Sequence, residues 1–158
     1  MCNTPLQVSL DIGHDVLLRP VGLEDEPRFR KIFEQMSPEG QPLMAAAHAI
    51  RSEPGSSRAE LALGVLDQYQ AHGLSRLLIA SVALSCRACG ITTLEAETLP
   101  ENRKANHLFK ALGGKVIRPM PPTTLWEFDV AQLIETLRTM ERPEGLRKVF
   151  AVNADEAA

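Results

Sequence analysis

The chain has no excess of positive charge: 17 lysines and arginines face 20 aspartates and glutamates, a net charge of −3. A general nucleic-acid binder is expected to be basic, so that class is disfavoured and no nucleic-acid partner is expected. No apolar run reaches the about eighteen residues of a membrane span, so no membrane partner is expected either. The N-terminus MCNTPLQVSLD lacks a basic segment followed by an apolar run, and so does not read as a secretory signal. Cysteine is sparse. Three residues without an export signal fit a reducing, cytoplasmic setting. Cys86 and Cys89 form a C-x-x-C, but inside a predicted helix and with only Cys2 to spare, so they cannot complete a structural zinc site. They are expected to be structural thiols, and no metal is expected. There is no internal repeat and no low-complexity tract. What is present is 158 residues, the size of one domain, with a hydrophobic content of 44%, enough for a core.

The most informative stretch is Arg58–Gly114. RAELALGVLD alternates small and apolar residues with little charge and reads as a buried strand. QYQAHG breaks it. LSRLLIASVALSCRAC is long enough for a helix of about four turns, with Gly90 placed as a left-handed stop. ITTLEAETL is β-branched and alternating, a second strand. ENRKANHLFKALGG is a short helix stopped by Gly113 or Gly114. A helix start carries unpaired N–H groups and partial positive charge, so an anion could sit at the first turn. On spacing alone, QYQAHGLS reads equally as a phosphate cradle or as an ordinary strand-to-helix connection. It matches neither the P-loop nor the dinucleotide fingerprint.

Two motifs in this block resemble those of the GCN5-related N-acetyltransferase (GNAT) superfamily. The family's Q/R-x-x-G-x-G/A stands here as Gln70-Ala71-His72-Gly73-Leu74-Ser75. Its P-E-N-x-x-A-x-x-L-Y/F-x-x-L-G stands as the run from Pro100 to Gly113. The order is the family's, with a helix and a strand between. The run LLRPVGLEDEPRFRKIFEQMSPE further resembles the start of the GNAT domain of bacterial protein-lysine acetyltransferases. The resemblance implies a mixed α/β (α+β) fold with a mostly antiparallel central sheet flanked by helices.

Around the block, Leu6–Leu10 and Val16–Val21 read as a hairpin across the turn Asp11–Asp15. A helix is expected from about Gly22, with Phe29, Ile32, Phe33 and Met36 on one face and a stop at Ser37–Gly40. Pro42–Ser52 is then one strand, turning at Glu53–Ser57 into the Arg58 strand. A typical family member has one more strand and one more helix here, so the N-terminal half is shortened and the acceptor side is expected to be open. Lys115–Arg118 and Thr123–Val130 read as a final antiparallel pair interrupted by Met120-Pro121-Pro122. Ala131–Glu141 is amphipathic, docking either on its own sheet or against a second copy as a homodimer contact. Ala151–Ala158 lacks a core pattern and is expected to fray. The organisation is thus one domain over 1–141 and a partly disordered extension over 142–158.

The resemblance implies acetyl transfer from acetyl-CoA to a primary amine, on a protein lysine or a small molecule, without a metal. The amides from Gln70 through Ala71, His72, Gly73 and Leu74 to Ser75 would hold the diphosphate, with Arg76 adding charge. Alanine at 71 suits the turn if its φ is negative. Leu63 and Val65 would pair with the pantetheine arm, and Asn102 would touch that arm, cap its helix, or do both. Glu60, flanked by apolar residues, is the candidate base. The alternative is a solvated strand glutamate paired with Arg58. Glu95 or Glu97 could back it up. Many members carry a tyrosine acid where this chain has Phe109, which has no proton to give. His107 is a candidate replacement, and Tyr69 is expected to lie far from the sulfur. A non-catalytic acyl-CoA-binding or regulatory module is the competing reading, and a scaffold that binds no coenzyme A is a third.

Overall fold

The computed structural model describes residues 5–11, 13–20, 44–120 and 122–155. The expected helix from Gly22 to Met36 and its stop lie outside the described residues.

A short hairpin comes first. β1 (Leu6–Ser9) pairs antiparallel with β2 (Asp15–Leu18) in a sheet of its own. Asp15 ties the two strands, accepting from Ser9 Oγ at 2.7 Å and Gln7 Nε2 at 3.1 Å. Among the described residues the central sheet has five strands: β3 (Ala45–Arg51), β4 (Arg58–Val65), β5 (Thr93–Thr98), β6 (Lys115–Met120) and β7 (Thr123–Asp129), in the order β3-β4-β5-β7-β6. Every neighbouring pair is antiparallel except β4–β5. The segment between the hairpin and β3, where the shortened N-terminal half is expected, lies mostly outside the described residues.

β4 and β5 are joined by α1 (Leu74–Ala88), β5 and β6 by α2 (Arg103–Ala111). α1 buries Leu74, Leu77, Ile79, Ala80, Ala83 and Leu84, which cover more than one stripe. It touches β3 and β4 on one side, and α3 (Val130–Arg138) and α4 (Gly145–Asp155) on the other. A helix covered on two sides needs apolar residues all round. Gly90 and Gly113 follow the ends of α1 and α2 with positive φ, as the sequence implies. Arg51 reaches from β3 to the Cys89 carbonyl, setting a cation on the carbonyl end of α1. Cys86 is buried beside it, and burial pushes its thiol pKa up.

Three expectations change. β6 continues through Pro119 to Met120, paired with Thr123, because among the described residues β6 has a single strand partner and an edge strand tolerates proline. The apolar face of α3 docks within the chain, with Leu133, Ile134 and Leu137 buried against α1 and α4. Beyond Glu141 the chain is helical from Gly145 to Asp155, where fraying from Ala151 is the sequence expectation. Leu146 and Val149 are 1% exposed and Phe150 packs beside them, a helical spacing that a reading beginning at Ala151 cuts in two.

One ion-pair cluster crosses the sheet. Glu95 on β5 stands directly opposite Glu127 on β7, and like charges in that position repel. Arg58 on β4 donates to both, and these two bonds push its pKa above the ordinary arginine value. Replacing Arg58 with alanine is expected to lower the melting temperature. Adding Glu95→Gln should recover part of the loss, as measured by thermal denaturation of the single and double variants.

Candidate active site

The parallel pairing of β4 and β5 runs for three rows, Arg58↔Thr93, Ala59↔Leu94 and Glu60↔Glu95, and then stops. Both strands continue, β4 to Val65 and β5 to Thr98, while β4 stays paired with β3 to Ala45↔Val65. The central sheet therefore splays in its middle. A cavity of about 630 Å³ occupies the opening and runs to the start of α1 and α2.

Glu60, Leu63 and Val65 of β4 form one wall. Glu60 is exposed, so its apolar flanks do not bury it. Its expected partner Arg58 is engaged by Glu95 and Glu127 instead. That engagement also takes Glu95 out of consideration as a second base, whereas Glu97 is exposed and lines the cavity.

The floor is the turn before α1. Gln70, Ala71, Gly73, Leu74, Ser75 and Arg76 line the cavity; His72 does not. The first helical bond is Leu77 N–H to the Gly73 carbonyl, 3.2 Å, so the amides of Leu74, Ser75 and Arg76 precede the ladder. The Gly73 N-cap supplies no side-chain acceptor to them. Arg76 Nε is buried without a hydrogen-bond partner. Other atoms of the Arg76 side chain line the cavity and bring its positive charge there. Gln70 braces the turn, donating to Val65 O at 3.4 Å and Asp67 Oδ1 at 3.0 Å.

The opposite wall is α2. Asn102 caps it, Oδ1 accepting from Ala105 N–H at 3.1 Å, and also lines the cavity. Lys104, which the sequence reading missed, lines it too and donates to Gln70 Oε1 at 3.3 Å. Its place in the first turn of α2, two residues after Asn102, was the available signal. Phe109 is buried at the cavity, edge-on to Trp126 and Phe128 with ring centroids 5.9 and 5.3 Å away. His107 is exposed and lies outside the lining, so it does not stand in for the missing tyrosine. Tyr69 does line the cavity, at the turn end. A second feature invisible to motif reading is Thr98. Its buried hydroxyl accepts from Trp126 Nε1 at 2.9 Å and donates to Asn106, and Asn106 in turn holds the Leu99 and Pro100 carbonyls at 3.1 and 3.3 Å.

Ala71 departs from expectation. Its φ is +66°, not negative, placing an alanine in the left-handed region. That conformation costs a non-glycine residue about 1–2 kcal/mol. Ala71→Gly is expected to raise the melting temperature by about 2–4 °C, checked by calorimetry without ligand.

Residues 24–113, more than half of the chain, match the family model described as the acetyltransferase (GNAT) family. Over 89 residues, 56% of the chain, it is 27% identical to the acetyltransferase Pat of Mycolicibacterium smegmatis, covering 27% of that protein. The fold is similar to that of a mutant of the cAMP-binding acyltransferase from Mycobacterium smegmatis, with a TM-score of 0.69 at 22% identity, covering 96% of this chain and 55% of that one. It is also similar to the GNAT domain of S. lividans PAT, with a TM-score of 0.71 at 22% identity, covering 79% of this chain and 96% of that one. The chain thus spans about a quarter of the Pat sequence and about half of the cAMP-binding acyltransferase. With the splayed strands, the open helix start and this match together, the chain belongs to the acetyltransferase (GNAT) family.

Proposed function

We propose that the chain is an acetyl-CoA-dependent N-acetyltransferase acting on a primary amine, a protein lysine or a small amine, by direct transfer with Glu60 as general base. The observation that carries this reading is the splay of β4 from β5 where it opens onto the start of α1.

Coenzyme A supplies the acetyl thioester; the chain supplies the holding groups. The amides of Leu74, Ser75 and Arg76 face the diphosphate, favoured by the helix dipole. Arg76 and Lys104, both lining the cavity, add positive charge beside those amides. Past Glu60, the side of β4 that faces β5 has no strand partner, and an unpaired ladder edge inside a sheet needs hydrogen-bonding partners. The amide-bearing pantetheine arm lies along Leu63 and Val65 as a strand would. Asn102 meets the arm from the other wall.

The acceptor reaches the cavity beside Glu60. Its ammonium gives a proton to the Glu60 carboxylate, directly or through water, and the freed lone pair attacks the thioester carbonyl carbon. The carbon–sulfur bond breaks, the thiolate leaves, and the second proton on the nitrogen passes to the thiolate or to water. Phe109 cannot protonate it, so departure depends on the thiolate being a good leaving group. Glu60 and Glu97 make the cavity mouth acidic, which draws a cationic amine toward the base.

Phe109 also favours a second reading, a module that binds acyl-CoA without turning it over. A thiol-release assay over peptides, polyamines and aminoglycosides, run beside a coenzyme A titration, separates the two. Binding without thiol release against the whole panel selects the second. Glu60→Gln is expected to abolish turnover and retain acetyl-CoA binding. Turnover at the wild-type rate in that variant removes Glu60 from the mechanism.

A further inference from the structure

The turn before α1 is held by less than its conformation requires. Two of its residues are left-handed, Ala71 at φ +66° and Gly73 at φ +87°, and no side chain caps the helix. Gln70 braces the side nearest β4. On another side stands Pro143. A β-carbon at Gly73 would fall 2.7 Å from Pro143 Cβ and Cγ and 3.0 Å from Cδ, so the ring occupies the space a side chain would need. Glycine at 73 therefore answers two demands at once, positive φ and contact with the ring.

Pro143 is itself well anchored. It is buried, and its carbonyl accepts from Leu146 N–H at 3.0 Å at the start of α4. Leu146 and Val149 are buried in the core. Gly145 is packed so closely that a β-carbon would lie 3.0 Å from the Ser9 carbonyl and 3.2 Å from Leu77. The ring is thus a stiff group on a fixed support, losing almost no side-chain entropy on burial.

We propose that Pro143 is a positioning residue for the diphosphate of coenzyme A. Its ring presses on the Gly73 α-carbon and keeps the turn in the conformation that points the Leu74, Ser75 and Arg76 amides into the cavity. It does not line that cavity and acts only through the turn. The proposal rests on the reading of the turn as the coenzyme A site. It makes the segment after α3 part of the binding apparatus: removing the ring leaves a void behind the turn, into which Ala71 and Gly73 relax. Binding then has to order the turn as well as fill it.

The test is calorimetric titration of coenzyme A into the wild type, Pro143→Ala and Pro143→Val, with amide hydrogen exchange recorded without ligand. Pro143→Ala should weaken binding about tenfold and Pro143→Val, which keeps part of the bulk, about threefold. Exchange should speed up at Leu74–Arg76 while Leu77–Leu84 stays protected; a general loss of stability would move both. If Pro143→Ala does not fold, the valine variant carries the same comparison. Wild-type-like affinity in the folded variant, or faster exchange along the whole of α1, overturns the proposal. No binding of coenzyme A by the wild type overturns the reading of the site, and the proposal with it.

Discussion

The site exists because two parallel strands stop pairing early. β4 and β5 share three registered rows and then part at Glu60↔Glu95. The neighbouring pairings hold the strands to their other partners: β3 follows β4 to Val65, and β7 follows β5 to Thr98. Arg58 fastens the closed end, bridging Glu95 and Glu127 across three strands. Splaying leaves main-chain donors and acceptors unpaired within the sheet, an arrangement that is costly when dry and useful when an amide-bearing ligand fills it. Strand register, more than any one side chain, therefore decides where the cavity lies.

The rest of the molecule keeps that opening rigid. α1 must present its N-terminal amides at one end of the cavity, and it is fixed there by burial on two sides, against the sheet and against α3 and α4. α2 must stand across from it, and its place is set by Phe109 packing edge-on to Trp126 and Phe128. The Thr98–Trp126–Asn106 network ties the end of β5 to the first turns of α2. Few aromatic residues are present, and three of them stand at this one junction. The phenylalanine at 109 thus has a packing role that a tyrosine hydroxyl, needing a polar partner, would complicate.

Much of this was legible in the chain. The strand–helix–strand–helix order of Arg58–Gly114 followed from apolar alternation, glycine stops and β-branched runs, because these are local constraints on the backbone. Gly73 was legible for the same reason, and Asn102 as a cap because its acceptor lies three residues away. Lys104 and Thr98 were not, since each acts on residues distant in sequence: Lys104 meets Gln70 across the cavity, and Thr98 meets Trp126 across the sheet. The sign of φ at Ala71 was also hidden, because alanine prefers the other basin and only the path between the 3-10 turn at Asp67–Tyr69 and α1 forces it out.

By itself the sequence determined the strands and helices of Arg58–Gly114, where the turn before α1 stands, and which carboxylates are candidates, all of them matters of neighbouring residues. Tertiary structure alone decided that Arg58 serves Glu95 and Glu127 in place of Glu60, that the sheet parts after the Glu60 row, and that Pro143 comes to rest against Gly73. Those depend on which strands and helices become neighbours, and the pattern along one chain carries no distance between residues seventy positions apart.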